Sequence, residues 1–201
     1  MNNSVQIALF FEEGTVYNPA IISAKIIEKF SELGNPILLP INTEAPKEAN
    51  VPFIIFNQNV NFQLVLNYHN MLFTFQNSYI KQAKDIAITI FEVFNKEKIN
   101  FVRIGYVPTF ITEEEKKKDF EHKYVCQEEL KDVVDYQFSW LKRIKIKDLE
   151  FNCWERSISD SNKIKGLLKI YDFNTDADII IKIDKKFIKD FIDFCDKYMN
   201  K

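Results

Sequence analysis

The order of predicted elements repeats along this chain of 201 residues, and that repetition most constrains how the chain can fold. Apolar spacing predicts a strand, a helix, four strands and a long helix in each of two halves, residues 1–100 and 101–201. The halves match in element order and not in residue identity. We therefore predict an internally duplicated α+β protein, packed as one globular unit around a large antiparallel sheet.

The first half carries clear boundary signals. Asn18 as the N-cap and Pro19 as the first helical residue predict one helix, and Ser78 is predicted to cap the second. Its strands are predicted from apolar runs and from alternation, and the last two form a hairpin. Their approximate ranges are 5–11, 36–41, 53–56, 62–66 and 71–76.

The second half follows the same order. A strand begins at Phe101, and Thr112 with Glu115 indicates a capping box at the start of a helix. Residues 125–135 are predicted to be helical, and an amphipathic helix at 187–199 ends the chain. Four strands are predicted between these helices, at about 137–147, 149–158, 163–173 and 179–183.

The order strand, helix, four strands, helix resembles the repeat of the TATA-binding-protein-like and helix-grip folds. In those folds a curved antiparallel sheet packs its long helices on one face and leaves the other face open. The resemblance implies the same layers here. It implies no function, because one fold supports many functions.

Composition and motif content exclude several functional classes. The net charge of −2 gives no overall attraction to nucleic acid or to a membrane, and four glycines argue against a glycine-rich phosphate loop. Motifs for nucleophilic catalysis, dinucleotides and zinc do not occur, so we predict no catalytic residue, no metal and no cofactor. Without a signal peptide or an apolar run of about 20 residues, we expect a cytoplasmic location. Three cysteines are expected to be reduced thiols: Cys126, Cys153 and Cys195.

The candidate binding surface is the side of the sheet that faces away from the helices in the second half. Alternation places basic residues of neighbouring strands on that side, together with an exposed tryptophan. Arginine binds carboxylate or phosphate through paired hydrogen bonds, and an aromatic ring stacks on bases or anchors a partner. Alternatively, these cations only solvate the sheet and pair with nearby carboxylates. The candidate ligand-binding residues are Arg103, Arg143, Lys145, Trp154, Arg156 and Lys165.

The same alternation predicts the rest of this surface. Lys163, Lys165 and Lys169 are expected to extend the basic strip along the predicted strand 163–173. The first half is expected to offer only uncharged polar side chains there. These are Gln63, Asn67, Thr74 and Gln76.

A series of local features spans much of the chain: an alternating strand pair at 62–75, Tyr79 before a long helix, and the strand Arg103-Ile104-Gly105-Tyr106. With the strand 167–173 and the end helix, this series resembles a sporadically distributed, functionally uncharacterised family of bacterial proteins. The family often has a second arginine after the four-residue motif, where this chain has Val107-Pro108, and its N-terminal strand usually opens with an acidic residue. The patchy distribution implies genes of mobile elements or phage defence and gives no reaction.

Three functional hypotheses follow. The first is a non-enzymatic binding or regulatory protein, which binds a partner protein or an anionic ligand through the open sheet face or the groove between the halves. The second is a nucleic-acid-binding protein that uses the basic strip. The third is an enzyme whose site no motif reveals. Exposed edge strands could also pair two copies into a homodimer.

Overall fold

A computed structural model describes residues 3–31, 34–39, 52, 54–59, 61–125, 135–146, 149–176 and 181–200. The described strands are β1 (Ser4–Phe11), β2 (Ile37–Leu38), β3 (Ile54–Asn59), β4 (Phe62–Leu66), β5 (Asn70–Gln76), β6 (Phe101–Ile111), β7 (Gln137–Ile146), β8 (Leu149–Ile158) and β9 (Leu168–Thr175). The described α-helices are α1 (Pro19–Lys29), α2 (Ala83–Lys96), α3 (Glu114–Tyr124) and α4 (Lys185–Met199). The protein therefore belongs to the α+β class.

The nine described strands form one antiparallel sheet in the order β2-β3-β4-β5-β1-β6-β9-β8-β7. The first strands of the two halves, β1 and β6, lie side by side at its centre, with Ile7 opposite Tyr106. From this pair outward, one half places β5, β4 and β3 and the other places β9, β8 and β7. The two halves thus run in corresponding order on either side of the centre, while the duplication itself stays a prediction.

The helices cover one face of the sheet. Along β1, Val5, Ile7 and Leu9 are buried, whereas Gln6 between them is exposed. Helices α1, α2 and α4 bury their apolar residues in the same core as these strand residues, and each buried large side chain stabilises the fold by about 1.5–3 kcal/mol. Helix residues of this core include Ile22, Ile26, Ile90, Phe94, Ile188, Phe191 and Ile192. The prediction of a large antiparallel sheet with helices on one face is confirmed.

The predicted boundaries of the first half are largely confirmed. The Asn18 side chain accepts hydrogen bonds from the backbone N–H groups of Ala20, at 3.0 Å, and Ile21, at 3.3 Å, and Pro19 begins α1. Ser78, however, does not cap α2. It lies inside a 3₁₀ helix, Asn77–Gln82, and α2 follows directly from that helix without a side-chain cap.

The predicted capping box of α3 is wrong. Glu113, and not Thr112, is the N-cap residue, and no side chain caps this helix end. The Thr112 hydroxyl instead accepts a hydrogen bond from the backbone N–H of Leu167, at 3.0 Å. A contact between distant segments has therefore replaced the local one.

The strands of the second half differ from the prediction at two places. The third strand begins at Leu168 and not at residue 163, because Asp160 to Leu167 form turns and bends; the Asp160 carbonyl accepts the N–H groups of Lys163 and Ile164. Residues 181–183, the described part of the predicted fourth strand, are not a strand. Their backbone donates to Val102 and Phe101 at the start of β6. Residues 126–134, within the helix predicted at 125–135, lie outside the described residues.

Candidate functional site

Four of the predicted ligand-binding residues lie together on the open face of β7 and β8. Residues directly opposite on neighbouring strands share a face of the sheet. Arg143 lies opposite Asn152, and Leu141 lies opposite Trp154, so odd positions of β7 share this face with even positions of β8. The four residues are Arg143, Lys145, Trp154 and Arg156.

Arg103 lies on the same open face, separated from β8 by β9. It is opposite Phe10 on β1, and its guanidinium carbon is 4.5 Å from the centroid of the Phe10 ring. Its Nε is buried without a hydrogen-bond partner among the described residues. Arg103 is thus held against an aromatic ring at the centre of the sheet, apart from the four residues on β7 and β8.

The predicted extension of the basic strip along a third strand is wrong. Lys163 and Lys165 lie in the turns before β9, and Lys169 shares the helix-covered face with buried Ser157. On the open face β9 places Asp172 beside Trp154. Alternate residues of β9 share a face, as predicted. The face of β9 that packs into the core is, however, the opposite one, because it carries the aromatic residues of the strand.

An exposed apolar pair forms the centre of this surface. Leu141 is 45% exposed and Trp154 is 40% exposed, and the two are direct neighbours on β7 and β8. Arg143 lies two residues from Leu141 along β7, and Arg156 lies two residues from Trp154 along β8, both on the same face. Asp172 lies opposite Trp154 on β9. We call these five residues the Trp154 face. An apolar centre inside a polar rim is typical of protein–protein interfaces.

The charges around the Trp154 face are mixed. Lys145 lies opposite Glu150, and the Arg143 guanidinium is 4.0 Å from the Glu150 carboxylate. Both side chains of that ion pair are more than half exposed, so the pair contributes about 0–1 kcal/mol to stability. The contact with Glu150 therefore holds the exposed Arg143 side chain only weakly.

The open face of the first half is more apolar than predicted. Gln63 and Thr74 lie on it, but so do Val65 and Leu72, which oppose each other on β4 and β5. Asn67 does not belong to this face. It is 6% exposed, and its side-chain oxygen accepts hydrogen bonds from the backbone N–H groups of His69 and Asn70 in the β4–β5 hairpin, both at 2.8 Å.

A buried charged cluster lies on the opposite, helix-covered face. Glu155 is 7% exposed and sits on β8 between Trp140 of β7 and Tyr171 of β9. Its Oε2 accepts hydrogen bonds from Trp140 Nε1 and Lys142 Nζ, both at 2.9 Å. Its Oε1 accepts from Lys169 Nζ at 3.2 Å and from the Tyr171 hydroxyl at 3.4 Å. We call these five residues the Glu155 cluster.

The Glu155 carboxylate is buried, and both of its oxygens accept hydrogen bonds within the Glu155 cluster. Burial acts to raise the pKa of the Glu155 carboxyl, but hydrogen bonds and charges from Lys142 and Lys169 outweigh it and hold that pKa below its ordinary value. Lys169 also donates to the Ser157 hydroxyl at 2.7 Å and lies 4.8 Å from the centroid of the Phe120 ring of α3. Because the described partners occupy both carboxylate oxygens, we interpret the cluster as structural.

Sequence reasoning missed the Glu155 cluster although a signal was present. In the predicted strand 149–158, the alternation that places Phe151 and Cys153 on the apolar side also places Glu155 there. A carboxylate at a buried position requires cationic or hydrogen-bonding partners. The sequence could not show that Lys142 and Lys169 supply them.

A separate surface groove of about 790 Å³ lies between the end of α2 and the start of α4. One of its lysines, Lys185, is 2.6 Å from Glu92 across the groove. No predicted ligand-binding residue lines it. The lysines along this groove are Lys182, Lys185, Lys186 and Lys189.

The remaining candidate chemistry is limited among the described residues. Burial raises the pKa of the Cys153 thiol to about 12, so this sulfur is a protonated and weak nucleophile at neutral pH. Cys195 is also a buried free thiol, and Cys126 lies outside the described residues. Within the described ranges, no three His, Cys, Asp or Glu side chains are grouped to hold a metal ion, and no helix is long and apolar enough to cross a membrane.

Comparison with protein-family models and with curated proteins finds no match to this chain.

Proposed function

We propose that this chain is a non-enzymatic binding or regulatory protein whose Trp154 face contacts a partner protein. The observation that supports this most is the exposed pair Leu141 and Trp154 within a rim of arginines and carboxylates. Aromatic residues and arginines are enriched in protein interfaces, and their truncation causes the largest losses of affinity. Trp154 would be the anchor, and Arg143 and Arg156 would bind carboxylates of the partner.

A protein partner fits the charges better than nucleic acid does. A nucleic-acid surface contacts successive phosphates with cations, and its affinity falls steeply with salt. Here Asp172 adjoins Trp154, and Glu150 adjoins both Arg143 and Lys145. A phosphate backbone crossing this face would meet these carboxylates. A peptide segment with an apolar side chain and carboxylates on either side would match the centre and the arginines together.

A binding role is also favoured over catalysis by the state of the reactive groups. The Glu155 carboxylate has both oxygens occupied by side chains of its own cluster. The Cys153 thiol is buried and protonated. Neither group presents a free base or nucleophile at the surface.

The cellular setting is part of the same proposal. We place the chain in the cytoplasm, where free thiols such as Cys153 and Cys195 stay reduced. A role beside mobile-element or phage-defence genes rests only on the family resemblance of the strand pair at 62–75, the strand at 103–106 and the C-terminal elements.

The charged rim gives the first test. We expect the combined change Arg143→Ala, Lys145→Ala and Arg156→Ala to leave the thermal midpoint nearly unchanged, because these residues lie on the open face and Arg143 is 71% exposed. Capture of a partner from lysate of the source cells should fall by about tenfold or more, since charged groups at an interface carry much of its specificity. Thermal unfolding and quantitative mass spectrometry of the captured protein measure the two effects.

The matched control removes three lysines from the other side of the molecule: Lys182→Ala, Lys186→Ala and Lys189→Ala. This change alters the net charge equally and should leave capture intact. Equal loss with both variants would mean that overall charge, and not the Trp154 face, governs binding. A captured species that disappears after nuclease treatment and at high salt would support the nucleic-acid alternative instead.

A further inference from the structure

We propose that two copies of this chain pair through their β7 strands, antiparallel and centred on Leu141, so that the two Trp154 faces become one continuous surface. The inference rests on the geometry and charges of the sheet edge. It does not depend on which other protein the open face binds.

The strand β7 offers a long edge for such pairing. It is the outermost strand on one side of the sheet and has ten residues, whereas β2 at the other edge has two. No described residue hydrogen-bonds to the outer side of β7. Unpaired backbone groups along an edge strand are a template for another strand.

The direction of the backbone groups on β7 follows from one hydrogen bond. The carbonyl of Tyr136, just before β7, accepts the N–H of Ser159, just after β8. N–H and C=O groups of alternate residues point to opposite sides of a strand. Even-numbered residues of β7 therefore form backbone hydrogen bonds with β8. Odd-numbered residues direct both their N–H and their C=O groups outward, towards the free edge of the sheet. The outward set is Gln137, Ser139, Leu141, Arg143 and Lys145.

A twofold axis at Leu141 pairs all five outward-directed residues of one copy with the outward-directed residues of the other. Leu141 then faces Leu141 of the second copy, Ser139 faces Arg143, and Gln137 faces Lys145. Each outward residue meets an outward residue, and the antiparallel pattern gives about ten hydrogen bonds between the strands. An axis at Ser139 would pair fewer of them, because β7 begins at Gln137.

The charges select the same register. With the axis at Leu141, Arg143 and Lys145 each face an uncharged polar residue, and Lys142 faces the aromatic Trp140. An axis at Arg143 would set two arginines opposite each other. Like charges that face each other across strands are destabilising, so this alternative is disfavoured.

Pairing at Leu141 also accounts for the exposed apolar residues at this edge. Trp154 adjoins Leu141 on the open face of each copy. In the dimer, the row across the shared sheet becomes Trp154, Leu141, Leu141 and Trp154. Each copy thus contributes Leu141 to the face of the other, and the apolar centre doubles in length.

Two substitutions at Ser139 test this register with a matched pair. Ser139 is exposed and faces Arg143 of the second copy. Because of the twofold symmetry, this pair occurs twice in the dimer. We expect Ser139→Glu to tighten the dimer and Ser139→Lys to weaken it, each by roughly fivefold to tenfold in Kd. Sedimentation equilibrium of the full chain at several concentrations gives the Kd values.

Two results would overturn the proposal. One is a parent chain and a Ser139→Glu variant that both stay monomeric throughout the concentration series. The other is a dimer whose Kd responds equally to both substitutions. Ser139 also faces Arg156 of its own chain, so circular dichroism and thermal unfolding of each variant separate a change of fold from a change of association.

Discussion

The Glu155→Ala variant is expected to lose about 3–5 kcal/mol of its free energy of unfolding. The change removes the carboxylate that compensates Lys169, whose side chain is only 13% exposed. Lys142 contributes less to this loss, because its side chain is 46% exposed and can return to water. Trp140 also loses the acceptor of its indole N–H. Urea unfolding at neutral pH, followed by circular dichroism, measures the loss.

Glu150→Ala is the matched control for this change. Glu150 lies on the same strand but on the open face, and its side chain is 56% exposed. Its pairing with Arg143 is a surface ion pair, so we expect a loss of less than about 1 kcal/mol. Similar losses from both variants would contradict the structural role of the Glu155 cluster.

The Glu155 cluster also predicts how stability depends on pH. The pKa of Glu155 is lowered by folding from its ordinary value of 4.5, so its contribution to stability is complete above that value. The contribution is lost as the pH falls through the lower pKa of the folded state. The stability difference between the parent chain and Glu155→Gln should therefore be largest above pH about 5 and should shrink in more acidic solution. A difference that grows on acidification would contradict the assignment.

The Gly166→Ala variant is expected to be destabilised by about 3 kcal/mol or more, because the added methyl group overpacks a site bounded by backbone. Its Cβ would lie 1.8 Å from the carbonyl oxygen of Thr112 and 2.8 Å from the carbonyl carbon. The Thr112 backbone cannot rotate away as a side chain could. The turn must shift, which strains the hydrogen bonds that join Thr112 to Leu167.

Gly105→Ala provides the comparison for this second change. A Cβ at Gly105 would lie 3.7 Å from the Ala8 Cβ and 3.9 Å from the Phe173 carbonyl oxygen, which are ordinary contacts. We expect a stability change within about 1 kcal/mol. Thermal unfolding of both variants checks the pair, and a greater loss at Gly105 than at Gly166 would contradict the packing described here.

The sequence predicted β7, β8 and their shared face because strand alternation is a local property. It failed at β9, where both sides of the strand carry large apolar residues: Leu168 and Ile170 on one side, Tyr171 and Phe173 on the other. Alternation shows which residues share a face but not which face is buried. That choice depends on packing against α4, where the Phe173 ring contacts Tyr198.

Other differences arose from contacts between segments far apart in the chain. Thr112 and Glu115 form a reasonable capping pattern, but Leu167 takes the Thr112 hydroxyl. The position of Glu155 between Lys142 and Lys169 depends on the order of β7, β8 and β9. Neither spacing nor composition determines that order. Strand alternation was enough to predict an open face with basic residues and a tryptophan. The mixed charge of this face could not be predicted, because it depends on which residues the strand register places side by side.

Photocrosslinking from position 154 in living cells tests the proposed partner surface most directly. A photoreactive benzoylphenylalanine replaces Trp154 in one strain and Lys186, on the helix side, in another. We predict one crosslinked product at position 154 that contains a different protein and is absent at position 186. Crosslinks to nucleic acid alone, to copies of the chain alone, or with equal yield at both positions would contradict a partner-binding Trp154 face.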